Sequence, residues 1–245
     1  MGDCRDFEAV IDCLPEFCCL AVDLPGHGQT KVSHDSSYQM EQTASGLIEL
    51  LTALEIERCI LVGYSMGGRL ALYLTIHFPQ FFVATVLESA SPGLATVAER
   101  ESRIARDSRL SDRLESVSLS SFLQQWYSNP LFESFRTHPN YQQAISRRLQ
   151  NNPLKLAKSL RGCGLGKQPS LWEHLAAIEQ PTLLTVGELD SKFREINQMM
   201  LARLPQARLR VIKHSGHNVH FEHPAIFGRL LKNFAADRLQ QHGNN

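Results

Sequence analysis

Short apolar runs alternate with segments of helical periodicity along most of the chain. The apolar runs, several rich in β-branched residues, cover residues 17–24, 59–64, 84–87, 182–186 and 209–212. Apolar positions at helical spacing fill residues 6–14, 38–54, 66–78, 193–204 and 224–238. Several runs are apolar on successive residues, which is typical of strands buried on both faces. The alternation predicts an α/β fold with a mostly parallel sheet of five visible strands, flanked by helices.

Residues 93–170 interrupt this alternation. The segment has no β-branched run, and its Arg-rich and aromatic helical stretches are separated by Pro130, Pro139 and Pro153. We predict a helical lid at residues 93–170, inserted into a core made of residues 1–92 and 171–245.

The charge of the chain is balanced overall but unevenly distributed. Lys and Arg number 25, as do Asp and Glu, so the whole chain offers no field that would collect nucleic acid or an anionic membrane. The lid alone carries twelve basic against six acidic residues. No uncharged apolar run approaches the roughly 18–20 residues of a bilayer span, and no motif indicates a protein partner.

The cysteines suggest packing rather than chemistry. They are Cys4, Cys13, Cys18, Cys19, Cys59 and Cys163, and no pair has the CxxC spacing of a metal or redox site. Nothing at the N-terminus marks the chain for export, and free thiols suit a reducing compartment. We therefore predict a cytoplasmic protein in which all six are packing residues.

A nucleophile motif, GYSMGG at residues 63–68, lies between an apolar run and a helical segment. In the pattern G-x-S-x-G, the small residues flanking the serine permit a strained turn from strand to helix. That turn exposes the serine hydroxyl and directs the next backbone N–H toward an oxyanion. We predict Ser65 as the catalytic serine and the Met66 N–H as an oxyanion donor.

A serine of this kind needs a histidine and a carboxylate, which follow it in the order acid, then histidine. Asp190 comes directly after the apolar run 182–186 and a short turn, and His217 follows the run 209–212. Both lie where loops leave strand ends, where open α/β sheets place their sites. Glu88, just after the run 84–87, is the alternative acid.

A three-residue spacing relates four histidines, His214, His217, His220 and His223, and could suggest metal ligation. Gly216 and the strand-end setting argue against a helix that would gather them on one face. No carboxylate or thiolate set completes a site. We predict no metal and interpret His220 and His223 as loop or core residues.

Taken together, the motifs resemble α/β-hydrolase-fold enzymes, and more narrowly the 2-succinyl-6-hydroxy-2,4-cyclohexadiene-1-carboxylate synthases of menaquinone and phylloquinone biosynthesis. The segments that carry the resemblance are DLPGHG at 23–28, GYSMGGRLAL at 63–72, LESASPGL at 87–94, ERESR at 99–103, WY at 126–127, PLF at 130–132, GELDSKF at 187–193 and GHNVHFE at 216–222. We interpret the 23–28 loop as a wall of the site. The SPGL segment and the ERxxR pattern are more specific to these synthases than GYSMGG and GHNVHFE, which are common to the whole superfamily.

The resemblance implies a lyase that needs no cofactor. Pyruvate would leave 2-succinyl-5-enolpyruvyl-6-hydroxy-3-cyclohexene-1-carboxylate, with Ser65, activated by His217, as the base. That substrate carries three carboxylates, which suits an Arg-rich lid because Arg binds carboxylates bidentately.

The resemblance also implies which residues bind the substrate. They are Arg69, Arg103 and Arg148, with Trp126 and Tyr64 in the pocket. If the match to the family is shifted along these segments, Arg100 replaces Arg103 and Arg147 replaces Arg148. We expect the three arginines to converge on one cavity between lid and sheet.

Members of this family begin with further strands and a His-Gly-Phe loop that supplies a second oxyanion donor. We therefore expect the N-terminal strands to be missing from this chain. We also expect a weak or inactive catalyst that an upstream segment of about 20–30 residues would rescue. The alternatives are a carboxylesterase or carbon–carbon bond hydrolase with the same triad, and a noncatalytic truncated relative. The basic lid argues against a hydrolase of apolar esters.

Overall fold

The computed structural model describes residues 1–242, with side chains as far as Asp237. These residues form two compact units. Unit 1 comprises Met1–Arg5, Val22–Glu55 and Pro92–Trp172, and unit 2 comprises Asp6–Ala21, Ile56–Ser91 and the described residues from Glu173 onward. The assignment of residues 93–170 to a lid, and of the rest to a core, stays a prediction.

Unit 2 is built on a parallel sheet whose four strands follow one another in sequence order. The strands are β1 Cys59–Tyr64, β2 Phe82–Glu88, β3 Thr182–Gly187 and β4 Ala207–Ile212. Strand β3 is buried throughout and β2 is buried at all but one residue, as their nearly continuous apolar runs predict. Tyr64, at the end of β1, is in register with Glu88, at the end of β2, so the ends of neighbouring strands lie side by side.

Eleven α-helices lie within residues 1–242. They are α1 Glu8–Ile11, α2 Met40–Ala53, α3 Met66–His77, α4 Val97–Ser116, α5 Leu119–Tyr127, α6 Glu133–Thr137, α7 Tyr141–Arg148, α8 Pro153–Cys163, α9 Ser191–Leu201, α10 Val219–Glu222 and α11 Pro224–His242. Short 3-10 helices cover Cys4–Phe7, Asp35–Tyr38, Pro79–Phe81, Pro130–Phe132 and Trp172–Ala177. None of these helices combines the length and apolar character needed to cross a bilayer.

The core of unit 2 lies between the central strands and the helices α1 and α11. Its buried members are Val10, Leu14, Ala84, Val86, Leu183, Ile212, Val219, Phe227, Leu231 and Phe234. Burial of side chains of this size stabilises a fold by about 1.5–3 kcal/mol each, which holds the strand ends in fixed positions. The expectation of an α/β fold with a parallel sheet flanked by helices is confirmed.

The predicted strand at residues 17–24 does not form, so the prediction of five strands is wrong. A strand requires a ladder partner, and among the described residues this segment pairs with none of the four strands. Leu20 is 51% exposed, and Cys18 and Cys19 are exposed as well. The interpretation of all six cysteines as packing residues fails for these two, whereas Cys163 is buried.

Residues 93–170 are helical and contain no strand, as their sequence predicts. Helix α4 begins with a capping box, in which Thr96 and Glu99 satisfy each other's backbone N–H groups. Arg161 of α8 binds Asp112 of α4 at 2.8 Å and also binds Glu115. Part of the positive charge of this segment is therefore neutralised inside unit 1.

Candidate active site

Ser65 occupies a strained turn between β1 and α3, the nucleophile elbow formed by residues 63–68. Its backbone has φ +49° and ψ −106°, a left-handed conformation that is costly for a residue with a Cβ. A Cβ on Gly63 would lie 2.5 Å from the Gly67 carbonyl oxygen, and one on Gly68 would lie 2.6 Å from the Ala90 Cβ. Gly63 and Gly68 therefore let the turn pack this tightly, whereas a Cβ on Gly67 would meet no atom within 4 Å.

The start of α3 supplies a hydrogen-bond donor beside the serine. Met66 is the first residue of this helix, so its N–H has no acceptor within the helix. The helix N-terminus also adds positive potential at the same place. The structure thus puts the predicted oxyanion donor next to Ser65, and its role stays a proposal.

Ser65, His217 and Asp190 form a continuous hydrogen-bonded chain. The Ser65 hydroxyl lies 3.1 Å from Nε2 of His217, and Nδ1 of His217 lies 2.6 Å from Oδ2 of Asp190. His217 and Asp190 are buried, whereas Ser65 is half-buried and so remains reachable. With Asp190 ionised, Nδ1 donates to the carboxylate and Nε2 is left to accept the serine proton.

Two loops at the ends of β3 and β4 bring Asp190 and His217 together. A Cβ on Gly187 would lie 2.0 Å from the Gly216 carbonyl oxygen, so only glycine permits this contact between the loops. The Leu189 N–H donates to the Ser215 carbonyl at 2.8 Å and fastens one loop to the other. Asp190 also caps α9, because its Oδ1 accepts the Phe193 N–H at 3.2 Å.

Glu88, the alternative acid, binds a different histidine. Its carboxylate oxygens lie 2.9 and 3.0 Å from Nδ1 of His220, and both residues are buried. His220 is therefore a core residue as expected, although its carboxylate partner was not foreseen. Glu88 and His220 are 132 positions apart in sequence, so no local pattern could have revealed the pair.

Glu222 is a second residue that the sequence reasoning missed. It is buried in α10, and its Oε2 accepts hydrogen bonds from the Gly216 N–H at 2.7 Å and the Ser215 hydroxyl at 3.2 Å. These bonds fix the loop that leads into His217. Its place in the GHNVHFE motif was the signal that could have found it.

The histidines spaced by three do not share one site. His217 and His220 face separate carboxylates, while His214 is exposed and its carbonyl lies 3.3 Å from Nε2 of His223.

Elsewhere in the described residues, Asp3, Cys4 and Asp23 lie close enough to suggest a metal site. Asp3 is already bound by Arg5, and Asp23 accepts the backbone N–H groups of Cys4 and Gln29. Burial and the adjacent Asp23 raise the pKa of the Cys4 thiol, which disfavours the thiolate that a metal would require.

The loop at residues 23–28 belongs to unit 1. Gly26 and Gly28 both have positive φ, at +91° and +50°. A Cβ on Gly26 would lie 2.6 Å from the Lys155 carbonyl oxygen, so the loop packs closely against α8. The Gly28 N–H donates to the Asn151 side chain at 2.9 Å. Its interpretation as a wall of the site stays a prediction.

The predicted substrate arginines lie in both units. Arg69 is half-buried on α3, and its N–H donates to the Ser65 carbonyl at 3.0 Å, so it follows the serine by one helical turn. In unit 1, the Arg103 Nε donates to the buried Asp107 at 2.7 Å. Arg148 is buried, and its Nε donates to the Tyr127 hydroxyl at 2.7 Å. Convergence of these three residues on one cavity stays a prediction.

The remaining candidates also have defined surroundings within their own units. Tyr64 is half-buried, and the centre of its ring lies 5.3 Å from that of His217. Trp126 stacks on Phe122 with ring centres 5.9 Å apart. Of the alternatives in register, Arg100 is half-buried, and Arg147 donates to the Arg5 carbonyl at 3.2 Å.

A serine in a strained turn, a buried imidazole and a carboxylate thus meet at the ends of parallel strands. Residues 2–224 match the family of the alpha/beta hydrolase fold.

Closer relatives carry a narrower name. A 2-succinyl-6-hydroxy-2,4-cyclohexadiene-1-carboxylate synthase from Serratia proteamaculans is 32% identical over 96% of this chain and 89% of its own length. A Bacillus subtilis protein assigned provisionally to the same activity is 40% identical over 95% of this chain and 86% of its own length. The solved structure of MenH from S. aureus superposes with a TM-score of 0.93 at 32% identity, covering 97% of this chain and 91% of that one.

The chain therefore belongs to the 2-succinyl-6-hydroxy-2,4-cyclohexadiene-1-carboxylate synthase family, lyases of the α/β-hydrolase fold. Solved esterases and a meta-cleavage product hydrolase match it at only 20–23% identity, which shows the shared fold alone. The resemblance drawn from the sequence is confirmed, and the hydrolase alternative is not favoured.

Proposed function

We propose that this protein eliminates pyruvate from 2-succinyl-5-enolpyruvyl-6-hydroxy-3-cyclohexene-1-carboxylate. The other product is 2-succinyl-6-hydroxy-2,4-cyclohexadiene-1-carboxylate, after which its relatives are named. The observation that carries the proposal is the Ser65 hydroxyl, 3.1 Å from an imidazole that Asp190 orients. Such a pair can act as a general base. We place the reaction in menaquinone or phylloquinone biosynthesis in the cytoplasm, where the free thiols would stay reduced.

The names of substrate and product define the bond changes. The substrate has one ring double bond at C3 and the product has two, at C2 and C4, so a proton leaves C2 and the C5–O bond breaks. Ser65 takes the C2 proton as its own proton passes to Nε2 of His217. The electron pair moves through C2=C3 and C4=C5 and expels enolpyruvate, which takes up a proton and becomes pyruvate.

The succinyl carbonyl beside C2 makes this proton removable. Negative charge develops on its oxygen as the proton leaves, and a backbone N–H aimed at that oxygen stabilises the charge. Met66, at the positive end of α3, has an N–H suited to this task. No acyl-enzyme forms, because Ser65 acts as a base and not as a nucleophile.

Three carboxylates on the substrate need cationic partners once water is excluded. We assign this role to Arg69, Arg103 and Arg148, with Trp126 and Tyr64 contacting the ring. Support comes from the side-chain contacts: Asp107 orients the Arg103 guanidinium through Nε, and the Tyr127 hydroxyl does the same for Arg148. A guanidinium oriented in this way can bind a carboxylate with less loss of side-chain entropy.

The proposal is tested by measuring pyruvate release from the enolpyruvyl substrate. A coupled enzymatic reduction of the pyruvate consumes NADH, and the loss of NADH reports the rate. We expect the wild-type chain to release one pyruvate per substrate and Ser65→Ala to lose on the order of three or more decades in kcat. An ester such as p-nitrophenyl acetate, assayed in parallel, addresses the hydrolase alternative. Ester hydrolysis without pyruvate release would contradict the lyase assignment.

A further inference from the structure

Beside the triad lies a second carboxylate–imidazole pair that the proposed chemistry does not use. Nδ1 of His220 lies 2.9 and 3.0 Å from the two carboxylate oxygens of Glu88, and the His220 backbone N–H donates to the same carboxylate at 3.1 Å. The His220 ring is stacked on Phe7 with ring centres 4.4 Å apart and contacts Tyr64 at 4.6 Å. This buried histidine is thus held between a carboxylate and aromatic rings.

Glu88 contacts both the turn that holds Ser65 and the segment that follows His217. Its backbone carbonyl accepts the Ser65 N–H at 2.8 Å, which fixes the elbow to the end of β2. Its side chain binds His220, three residues beyond His217. Ser65 and His217 are 152 positions apart, so the distance between them depends on cross-links of this kind.

The segment that follows His217 needs such a link. Helix α10 has only four residues, too few to be stable without tertiary contacts. Besides the buried Val219, its anchors are two carboxylates: Glu222 binds the loop before His217, and Glu88 binds His220 in the helix. Of these two carboxylates, Glu88 is the one that connects α10 to the strand next to the serine.

We propose that Glu88 and His220 form a positioning pair that holds Nε2 of His217 within hydrogen-bonding distance of the Ser65 hydroxyl. The pair acts through His217 and touches no substrate. Without the carboxylate, two buried donors of His220 lose their acceptor, and α10 must shift to find another. A displacement of about 1 Å at a reacting group can lower a rate 100-fold, so kcat is the sensitive quantity.

The kinetic experiment compares Glu88→Ala, Glu88→Gln and the control Thr85→Val. Thr85 is buried in the same strand, and its hydroxyl lies 2.8 Å from that of Thr75, so the control also breaks a buried hydrogen bond of β2. We expect Glu88→Ala to lower kcat about 30- to 100-fold with KM changed less than twofold. Glu88→Gln should lose less, about 5- to 10-fold, because its amide oxygen can still accept the His220 N–H. Thr85→Val should keep kcat within about twofold although it loses a buried hydrogen bond of the same strand.

A second measurement needs no substrate, and so separates this proposal from the proposed function on which its kinetic test rests. In protein labelled with ¹⁵N-histidine, the ring nitrogen shifts of His217, assigned with His217→Gln, report its tautomer and hydrogen bonds. We expect Glu88→Ala and Glu88→Gln to shift the Nε2 signal of His217, and Thr85→Val to leave it unchanged. If the wild-type chain releases too little pyruvate for kinetics, these shifts alone decide the positioning role.

The outcome that would overturn the proposal is a wild-type kcat together with wild-type His217 shifts in Glu88→Gln or in a folded Glu88→Ala. If the alanine variant does not fold, the near-isosteric glutamine variant decides the question. A loss of kcat in Thr85→Val equal to that in the Glu88 variants would also contradict it, because the loss would then follow from disturbing β2 and not from the contact with His220.

Discussion

Asp190 makes two separable hydrogen bonds, and this makes it the sharpest single-residue test of the triad. Oδ2 binds the His217 imidazole, and Oδ1 caps α9 through the Phe193 N–H. Asparagine can keep the cap with its oxygen, but its NH₂ group would then face Nδ1 of His217. Nδ1 would have to accept, and Nε2 would carry the proton that it must be free to take from Ser65.

We therefore predict that Asp190→Asn lowers kcat by about 10³- to 10⁴-fold, the loss seen when a serine triad is held in the wrong tautomer. The free energy of unfolding should change by only about 1 kcal/mol, because the helix cap survives. Kinetics of pyruvate release and chemical denaturation measure the two effects. Retention of more than a tenth of the activity would assign the orienting role to another carboxylate.

Substitution of Arg69 tests whether a cationic side chain binds the substrate, and not how the proton is transferred. It lies one helical turn beyond Ser65, so a carboxylate bound there would be held close to the reacting ring. We predict that Arg69→Ala costs about 2–5 kcal/mol in kcat/KM, the usual range for breaking a desolvated charge pair. Arg69→Lys should recover only part, because an ammonium keeps the charge but not the bidentate geometry. Unchanged kcat/KM in the alanine variant would remove this arginine from the binding site.

At the scale of single elements, the elbow depends on two glycines and tolerates a side chain at the third. A Cβ on Gly68 would press on the Ala90 Cβ at 2.6 Å and the Gly63 carbonyl oxygen at 2.9 Å. We predict that Gly68→Ala destabilises the fold by about 1–3 kcal/mol, the usual cost of overpacking.

Gly67→Ala is the matched control, because the new Cβ would meet no atom within 4 Å and alanine favours the helix. It should be neutral or stabilise the protein by up to about 1 kcal/mol. Thermal unfolding of both variants provides the comparison. Equal melting temperatures would show that α3 can move away from Gly63 at little cost.

The elements differ in how far periodicity could predict them. Strands β2 and β3 have the nearly continuous apolar pattern that their burial requires. Apolar runs also indicate β1 and β4, although most residues of those two strands are half-buried or exposed. Residues 17–24 have the same pattern, and yet form no strand in the described chain. A strand is defined by its partner as well as by its own residues, and no local pattern reveals whether that partner exists.

Within the site, the sequence could predict what the topology dictates. Ser65, Asp190 and His217 each follow a strand, and parallel strands bring their ends to one edge of the sheet. The links made by Glu88 and Glu222 could not be predicted, since they depend on which buried donors happen to face a carboxylate after folding. No spacing in the sequence predicts such contacts. Glu88 and Glu222 do, however, both lie within the motifs on which the family resemblance rests.

At the scale of the whole molecule, folding lowers the proton affinity of one histidine and so makes the free energy of unfolding depend on pH. His27 is buried in unit 1, and its burial, aided by the positive charge of the N-terminus, lowers its pKa from 6.5 to about 3. The Pro25 carbonyl and Asp3 oppose this shift but are smaller influences. Between pH 6.5 and about pH 3, the imidazole binds a proton in the unfolded chain but not in the folded chain. The free energy of unfolding must therefore fall as the pH drops through this range.

We predict that His27→Gln weakens this acid dependence. Between pH 6.5 and 5, the wild type should lose about 1.5 kcal/mol of unfolding free energy relative to the variant, since each pH unit well inside the interval contributes about 1.4 kcal/mol. His34→Gln, at an exposed histidine of the same unit, is the control and should follow the wild-type curve. Urea denaturation at several pH values measures all three proteins. If the curves of wild type and His27→Gln stay parallel down to pH 5, His27 accepts a proton in the folded state, and its surroundings are more open to water than its burial indicates.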